Sequence, residues 1–428
     1  MKKILILACM AIGIVACSKE ENNGATSGPV QNSPLTPGQH QQKLEDIALE
    51  FVDLFNTNDT KEIIDALNEL ERCFYYADFP EYSFELLNAM SQAANFSVDG
   101  LAKFMTRAIY YDYVLDLNDR DMNPLAGNSY TFNDYTYEWD IDRVDSNSVI
   151  LNWSNASAKI SWTSSNYRWT WDNVYDEERY TAYIPLSMEF VLMIDGKQQA
   201  KIVIVTNVTN ETTMSPEATL YLNGKYVFTV TTTLTEQSIG AQATISVNNS
   251  LVAVAQSSVA IYGLTNPDNW IYEDTYTWTD GYGNKHTESW VELDPFSYVY
   301  DYVKTGEARL SILDLAIIAQ GDFRMVKDEI EEYYSDDSER SCDNLCNAIN
   351  SNSSAVLYYN STQEKVADIK AQTVEYNGYY SDYYDVEPVV VFPDGSKYAF
   401  EGYFSDNKFS ALIDTVEDLI NWYDRMIG

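Results

Sequence analysis

The sequence predicts an α+β protein in which helices come first, a wide antiparallel β meander follows, and helices pack on the sheet. Three observations predict this class. Apolar residues recur at helical spacing near the N-terminus, alternate every second position from about residue 128, and return to helical spacing near the C-terminus. Helices and strands that are segregated along the chain are typical of α+β folds. A sheet of this width also has an alternative form, in which it curls into an open barrel.

The first helical region spans residues 41–126. An apolar stripe from Leu44 to Phe55 keeps the three-four spacing of one buried helix face. Asp59 followed by Glu62 predicts a capping box that opens a second helix. Two further helical stretches complete the region, and the short connections favour antiparallel helix hairpins.

The β region spans residues 127–304 and contains three successive hairpins. Their strands alternate apolar and polar residues and meet at Asp195-Gly196, Asn223-Gly224 and Asn248-Asn249. These residue types supply the positive φ that tight hairpin turns need. We therefore expect an antiparallel meander here.

Residues 305–428 are expected to complete the same globular unit. The composition predicts a helix from Glu307 to Tyr334, broken near Gly321. A β pair follows, joined by the turn Pro393-Asp394-Gly395. The chain closes on an amphipathic helix whose apolar side runs from Leu412 to Tyr423.

The N-terminus carries an export signal. Two lysines precede an apolar run from Ile4 to Val15, which is too short to cross a bilayer and fits a signal peptide over residues 1–16. Ile14-Val15-Ala16-Cys17 resembles the lipobox of bacterial lipoproteins. That resemblance implies cleavage before Cys17 and fatty acylation of its thiol, which would anchor the chain in a membrane.

The residues after Cys17 add a second resemblance. Lys19-Glu20-Glu21 is similar to the export signal of Bacteroidetes-type outer-membrane surface lipoproteins. It implies an outer-membrane protein that is lipid-anchored and exposed at the cell surface. Residues 17–40, rich in Pro, Gly, Asn and Ser and ending at His40, are expected to form a flexible tether.

The charge of the chain excludes several partners. Without the signal peptide, 25 basic groups face 65 acidic ones, a net charge of −40. Such a surface repels nucleic-acid phosphate and anionic lipid headgroups. We expect no nucleic-acid partner, and membrane attachment through acylated Cys17 alone.

Rows of aromatic residues are the candidate ligand-binding sites. On a strand, alternate side chains share one face, so an exposed row forms a surface on which sugar rings stack. The alternative is that the rows form the buried face of a sheet. The candidates lie on two predicted strands and one polar loop: Tyr167, Trp169, Trp171, Trp270, Tyr272, Tyr276, Trp278, Tyr379 and Tyr380.

Catalytic and metal chemistry have little support in the sequence. The only histidines are His40 and His286, and no nucleophile, zinc or phosphate-loop motif is present. Asp119, Asp121 and Asn123 match the first ligand positions of an EF-hand-type calcium loop, but the glycine and glutamate that should follow are missing. We therefore interpret these residues as an ordinary acidic turn, with calcium binding as the alternative. We expect no cofactor and no metal.

The cysteines other than Cys9 and Cys17 have structural interpretations. Cys73 falls on an apolar helix stripe and is expected in the core. Cys342 and Cys346 would be too far apart for a disulfide on a helix, whereas a loop would permit one.

Together these features predict a non-enzymatic, lipid-anchored surface protein that binds an extracellular ligand, a glycan being the favoured one. Two alternatives stay open: a cup for an apolar ligand, similar in architecture to lipoprotein-carrier folds, and a glycoside hydrolase with a pair of carboxylates. A structural adhesin is the remaining alternative.

Overall fold

A computed structural model describes most of the chain between residues 31 and 405. The described residues are 31–55, 59, 61–76, 127–144, 147–163, 168–172, 179–183, 187–210, 213–235, 237–261, 271–279, 285–293, 303–335, 338–376 and 383–405. Several sequence predictions lie outside these residues. They are the signal peptide, Cys17, the calcium candidates Asp119, Asp121 and Asn123, the aromatic residues Tyr167, Trp270, Tyr379 and Tyr380, and the C-terminal amphipathic helix.

Most of the described residues lie in one large mixed sheet of seventeen strands, so the α+β class is confirmed. Its strands are β1 (Gln31–Asn32), β2 (Asn128–Asn133), β3 (Glu138–Arg143), β4 (Ser148–Trp153), β5 (Ala156–Thr163), β8 (Ser187–Ile194), β9 (Lys197–Asn210), β10 (Thr213–Leu222), β11 (Tyr226–Leu234), β12 (Ser238–Val247), β13 (Ser250–Ile261), β16 (Val303–Ile312), β17 (Leu315–Asp322), β18 (Ser353–Tyr359), β19 (Glu364–Tyr376), β20 (Tyr383–Val391) and β21 (Lys397–Ala399). Two separate two-stranded ribbons are formed by β6 (Arg168–Asp172) with β7 (Arg179–Tyr183), and by β14 (Ile271–Thr279) with β15 (Lys285–Leu293).

The sheet is open and not closed into a barrel. From one end to the other its strands run β3, β2, β4, β5, β8 to β13 in order, then β16 to β21 in order. The pairing is antiparallel except between β2 and β4 and between β1 and β19, which are parallel. The predicted meander is confirmed, because chain neighbours from β8 to β13 pair in sequence.

The predicted hairpin turns are also confirmed. Asp195 and Gly196 have φ of 50° and 72°, and Asn223 and Gly224 have φ of 53° and 64°. Asparagine, aspartate and glycine tolerate this left-handed region better than other residues, so each turn closes its hairpin with little strain.

The predicted helix from Glu307 to Tyr334 is wrong over its first half. Residues 307–322 form β16 and β17, which turn at Leu313 with φ of 50°. The continuous apolar run from Leu315 to Ala319 fits a buried strand as well as a buried helix, and pairing of β16 with β13 and of β17 with β18 decides between them. A short 3₁₀ turn (Phe323–Met325) follows, and helix begins only at Lys327.

The helices of the described residues are α1 (Pro37–Asp53), α2 (Lys61–Tyr76), α3 (Lys327–Ser335), α4 (Glu339–Asn352) and α5 (Phe400–Ser405). The flexible tether expected over residues 17–40 is wrong at its C-terminal end, because α1 begins at Pro37. Thr36 caps it: the Thr36 hydroxyl accepts a bond from the Gln39 N–H, and the Gln39 side chain accepts one from the Thr36 N–H at 2.9 Å.

His40 is therefore a core residue of α1 and not part of a tether. It is fully buried, and its Nδ1 lies 2.8 Å from the hydroxyl of Tyr359 in β18. Its Nε2 has no hydrogen-bond partner among the described residues. Burial, and secondarily the charge of Lys43, lower the pKa of His40, while Glu364 acts in the opposite direction.

Asp59 was predicted to be the N-cap residue of α2, but α2 begins at Lys61, two residues later. Its carboxylate accepts bonds from the Lys225 ammonium at 2.6 Å and from the Tyr226 hydroxyl at 2.7 Å, which ties the segment between α1 and α2 to the β10–β11 turn. These bonds lower the pKa of the Asp59 carboxyl.

Among the described residues, two large hydrophobic clusters form most of the core, and a third is small and centred on Phe323. The first joins α2 to β4, β5 and β8 to β11, and the Trp153 indole N–H donates to the Ala66 carbonyl of α2 at 2.9 Å. The second joins α1 and α5 to β17 to β20. Cys73 is buried in the first cluster, as predicted, and Cys342 and Cys346 are buried free thiols on α4, so the helical alternative for them is correct.

Candidate functional site

The two predicted aromatic rows lie on the ribbons and not on the large sheet. Trp169 and Trp171 belong to β6, in register with Ala182 and Tyr180 of β7. The second row belongs to β14, whose partner is β15.

The register of the second ribbon places each aromatic residue of β14 opposite an ionisable residue of β15. Tyr272 pairs with Glu292, Tyr276 with Glu288, and Trp278 with His286. Residues that are directly opposite or two apart belong to the same face of a ribbon, so these six positions share one face. Trp278 is 38% exposed.

The β19–β20 hairpin carries the aromatic pair with the best-defined geometry. Tyr376 ends β19, Tyr383 begins β20, and the two are cross-strand partners. Their rings stack with centroids 5.2 Å apart and planes inclined by 12°. Tyr383 is 47% exposed. We call Tyr376 and Tyr383 the tyrosine pair; residues 377–382, which include Tyr379 and Tyr380, lie between them in the sequence and outside the described residues.

One carboxylate bonds the tyrosine pair, and two others bond neighbouring tyrosines. The Tyr376 hydroxyl donates to Glu387, one of the carboxylates on the same hairpin. On β20, Tyr384 donates to Glu375 at 3.4 Å. From α3, the Tyr333 hydroxyl donates to Asp385 Oδ1 at 2.6 Å. The hairpin end is thus fixed to a helix, and its rings keep their orientation without a ligand.

Two nearly parallel, stacked rings beside the Glu387 carboxylate suit one kind of chemistry. The ring faces accept the apolar C–H face of a sugar, and carboxylate oxygens accept bonds from sugar hydroxyls. Each of the three carboxylates of the hairpin already accepts a tyrosine hydroxyl but has further lone pairs. The arrangement can therefore bind a polyhydroxylated ring without any covalent step.

The sequence identified only part of this surface. Tyr383 belongs to the tyrosine-rich stretch that starts at Asn377, but Tyr376 lies outside it, and the stacking of the two rings depends on a register that composition does not reveal. A six-residue loop between alternating strands is the signal that could have suggested it.

In the part of the chain that the structure describes, neither a metal site nor a membrane-spanning helix is present, and no similar protein matches the chain. Among the described residues, no group of histidine, cysteine, aspartate and glutamate side chains is arranged to hold a metal ion. Within that same part of the chain, no helix has the length and apolar character needed to cross a membrane. Comparison with known protein families, curated proteins and solved structures found no match to this chain.

Proposed function

We propose that this protein is a lipid-anchored surface protein that binds a neutral glycan and does not cleave it. The observation that supports the proposal is the tyrosine pair, two stacked rings that are partly exposed at the end of a hairpin, one of which bonds the Glu387 carboxylate. Tyrosine suits recognition because its large ring loses little conformational entropy on binding.

The charge of the chain favours a neutral ligand over an anionic one. The net charge is −38, the Tyr376 hydroxyl bonds Glu387, and Glu375 and Asp385 lie on the same hairpin. A sulfated or uronate-rich glycan would be repelled, whereas neutral hydroxyls donate to these oxygens. The two aromatic ribbons offer further positions of the same chemistry at Trp169, Trp171, Tyr272, Tyr276 and Trp278.

The anchor is part of the proposal. It rests on the likeness of residues 14–17 to a lipobox and of Lys19-Glu20-Glu21 to a surface-export signal. We expect the Cys17→Ser variant to lose fatty-acid labelling and to appear in the soluble fraction. Labelling that is unchanged in this variant would rule the anchor out.

The glycan-binding part is tested with variants of the tyrosine pair. The protein is screened on an array of neutral and anionic glycans, and the best neutral ligand is titrated calorimetrically against wild type and Tyr383→Ala. We expect a roughly two- to tenfold loss of affinity, because a stacked ring contributes about 0.5–1.5 kcal/mol and 1.4 kcal/mol is tenfold. Tyr221→Ala, another partly exposed tyrosine at 38%, is the matched control and should bind as wild type does.

The same titration separates binding from catalysis. If the glycan is recovered intact after prolonged incubation, the protein is a binder. Release of shorter sugars would instead favour the glycoside hydrolase alternative, and no binding to any glycan would contradict the proposal.

A further inference from the structure

We infer that a second saccharide-binding site lies where the end of α2 meets the β2–β3 turn. The inference takes its ligand class from the proposed function but concerns a different surface. The site is formed by Arg72, Tyr75 and Tyr76 of α2 and by the turn residues Asp134 to Tyr137; we call it the turn cluster.

The turn cluster concentrates exposed aromatic area that a folded protein normally buries. Tyr75 and Tyr135 are 84% and 96% exposed, and Tyr76 and Tyr137 are 53% and 50% exposed. Large exposed aromatic side chains gathered in one place mark interaction surfaces, whereas scattered ones carry no such meaning. Four of the eleven large hydrophobic side chains that are exposed among the described residues lie here.

The rings form a connected, non-parallel group. The Tyr75 and Tyr76 centroids are 5.3 Å apart at an interplanar angle of 85°, and the Tyr76 and Tyr137 centroids are 5.6 Å apart at 52°. Tyr137 is supported from beneath by the buried Phe132, 6.4 Å away. Tyr75, Tyr76 and Tyr137 therefore present ring faces at different angles, with Tyr137 packed on the buried Phe132.

Polar groups at the edge of these rings can bind hydroxyls. The Arg72 guanidinium lies 5.8 Å from the Tyr76 ring centroid, and its Nη2 lies 3.5 Å from the Asp134 carboxylate. Arg72 also donates through Nε to Glu69 at 3.0 Å, and this bonding lowers the pKa of the Glu69 carboxyl. A planar donor and carboxylate acceptors beside aromatic faces are what a neutral saccharide requires, whereas a cationic ligand would meet the Arg72 charge.

The backbone at Tyr137 is strained in a way that positions its ring. Tyr137 has φ of 58°, a left-handed conformation that costs a non-glycine residue on the order of 1 kcal/mol. Its N–H donates to the Asn133 carbonyl at 2.8 Å, and the Asn133 side chain accepts the N–H of Tyr135 at 3.0 Å. Glycine would relieve the strain, so a tyrosine at this position is costly for folding and is consistent with a role in binding.

The two surfaces lie far apart in the strand order. The turn cluster is on the β2–β3 hairpin at one end of the sheet, and the tyrosine pair is on the β19–β20 hairpin near the other end. One chain would then contact two positions of a polysaccharide, and binding to a polymer would be tighter than binding to a short oligosaccharide.

The test uses calorimetric stoichiometry with neutral hexasaccharides of glucose, mannose and galactose. We expect two sites per chain in wild type, one in Tyr137→Gly, one in Tyr76→Ala and one in Tyr383→Ala. Tyr137→Gly is the sharpest variant, because it removes the ring while glycine accepts the left-handed backbone, so its thermal midpoint should not fall. Tyr221→Ala again serves as the control and should keep two sites.

The possible outcomes separate the two proposals. One site in wild type, abolished by Tyr383→Ala and unaffected by Tyr137→Gly, would overturn the turn cluster and leave the proposed function standing. One site that is abolished by Tyr137→Gly and kept in Tyr383→Ala would support the turn cluster and move the proposed function away from the tyrosine pair. If no hexasaccharide gives a calorimetric binding heat and the protein also binds no glycan on the array, both the turn cluster and the proposed function are overturned.

Discussion

Trp153 provides the most quantitative test of how the helices are held on the sheet. It lies on β4, is 2% exposed, and its indole joins the first hydrophobic cluster while donating to the Ala66 carbonyl of α2. The change to alanine removes both the packing and the hydrogen bond. The change to phenylalanine keeps an aromatic ring and removes the donor.

The expected decreases in unfolding free energy follow from the loss of packing and the loss of the hydrogen bond. A buried tryptophan replaced by alanine costs about 3–5 kcal/mol of unfolding free energy, since it combines lost transfer energy with a cavity. A single hydrogen bond contributes about 1 kcal/mol, and Trp153→Phe also leaves a smaller void, so we expect about 1–2 kcal/mol for that variant. Tyr135→Ala, at 96% exposure, should stay within about 0.5 kcal/mol of wild type.

The assay is urea unfolding followed by far-ultraviolet circular dichroism, with the free energy taken from the midpoint and slope. Trp153→Ala should lose the most unfolding free energy, Trp153→Phe less, and Tyr135→Ala the least. If Trp153→Ala costs less than about 1 kcal/mol, or no more than Tyr135→Ala, the contact between α2 and the sheet does not support the fold as argued.

Three further predictions concern ionisable and thiol groups. Since burial puts the folded-state pKa of His40 below 6.5, the folded chain binds fewer protons than the unfolded one, and stability falls as the pH drops below about 6.5. The added slope of the unfolding free energy, at most about 1.4 kcal/mol per pH unit, should disappear in His40→Gln, and equal slopes would refute the assignment. Asp59→Asn should cost about 1 kcal/mol in urea unfolding, because the Lys225 and Tyr226 bonds lose their charged acceptor; no change would mean that they are not formed. Burial raises the pKa of Cys73 to about 11, and Cys342 and Cys346 are also buried. A thiol reagent should therefore find no reactive thiol in the native protein purified from membranes, and three reactive thiols after unfolding. Five thiols after unfolding would mean that Cys9 is retained and Cys17 is not acylated.

Local signals in the sequence were sufficient for the elements that depend on local chemistry. The turns at Asp195-Gly196 and Asn223-Gly224 were predicted correctly, because positive φ is a property of the residues themselves. The start of α1 was predictable in the same way, since Thr36, Pro37 and Gln39 form a capping signature, but the composition of the segment before it hid the signal.

Features that depend on distant pairing could not be predicted. Residues 307–322 have an apolar run that suits helix or strand, and β13 and β18 decide its conformation. The turn cluster brings Tyr76 of α2 beside Tyr137 of the β2–β3 hairpin, a contact between segments 61 residues apart in the chain. The stacking of the tyrosine pair depends on the register of β19 with β20, which composition does not reveal.

Native gel electrophoresis through neutral polysaccharides tests the central claim most directly. Wild type should be retarded by at least one neutral polysaccharide, equally at low and high salt because ring stacking is not screened, and the double variant Tyr376→Ala/Tyr383→Ala should lose most of that retardation. Retardation that is unchanged in the double variant, or that occurs only with anionic polysaccharides, would contradict glycan recognition by the tyrosine pair.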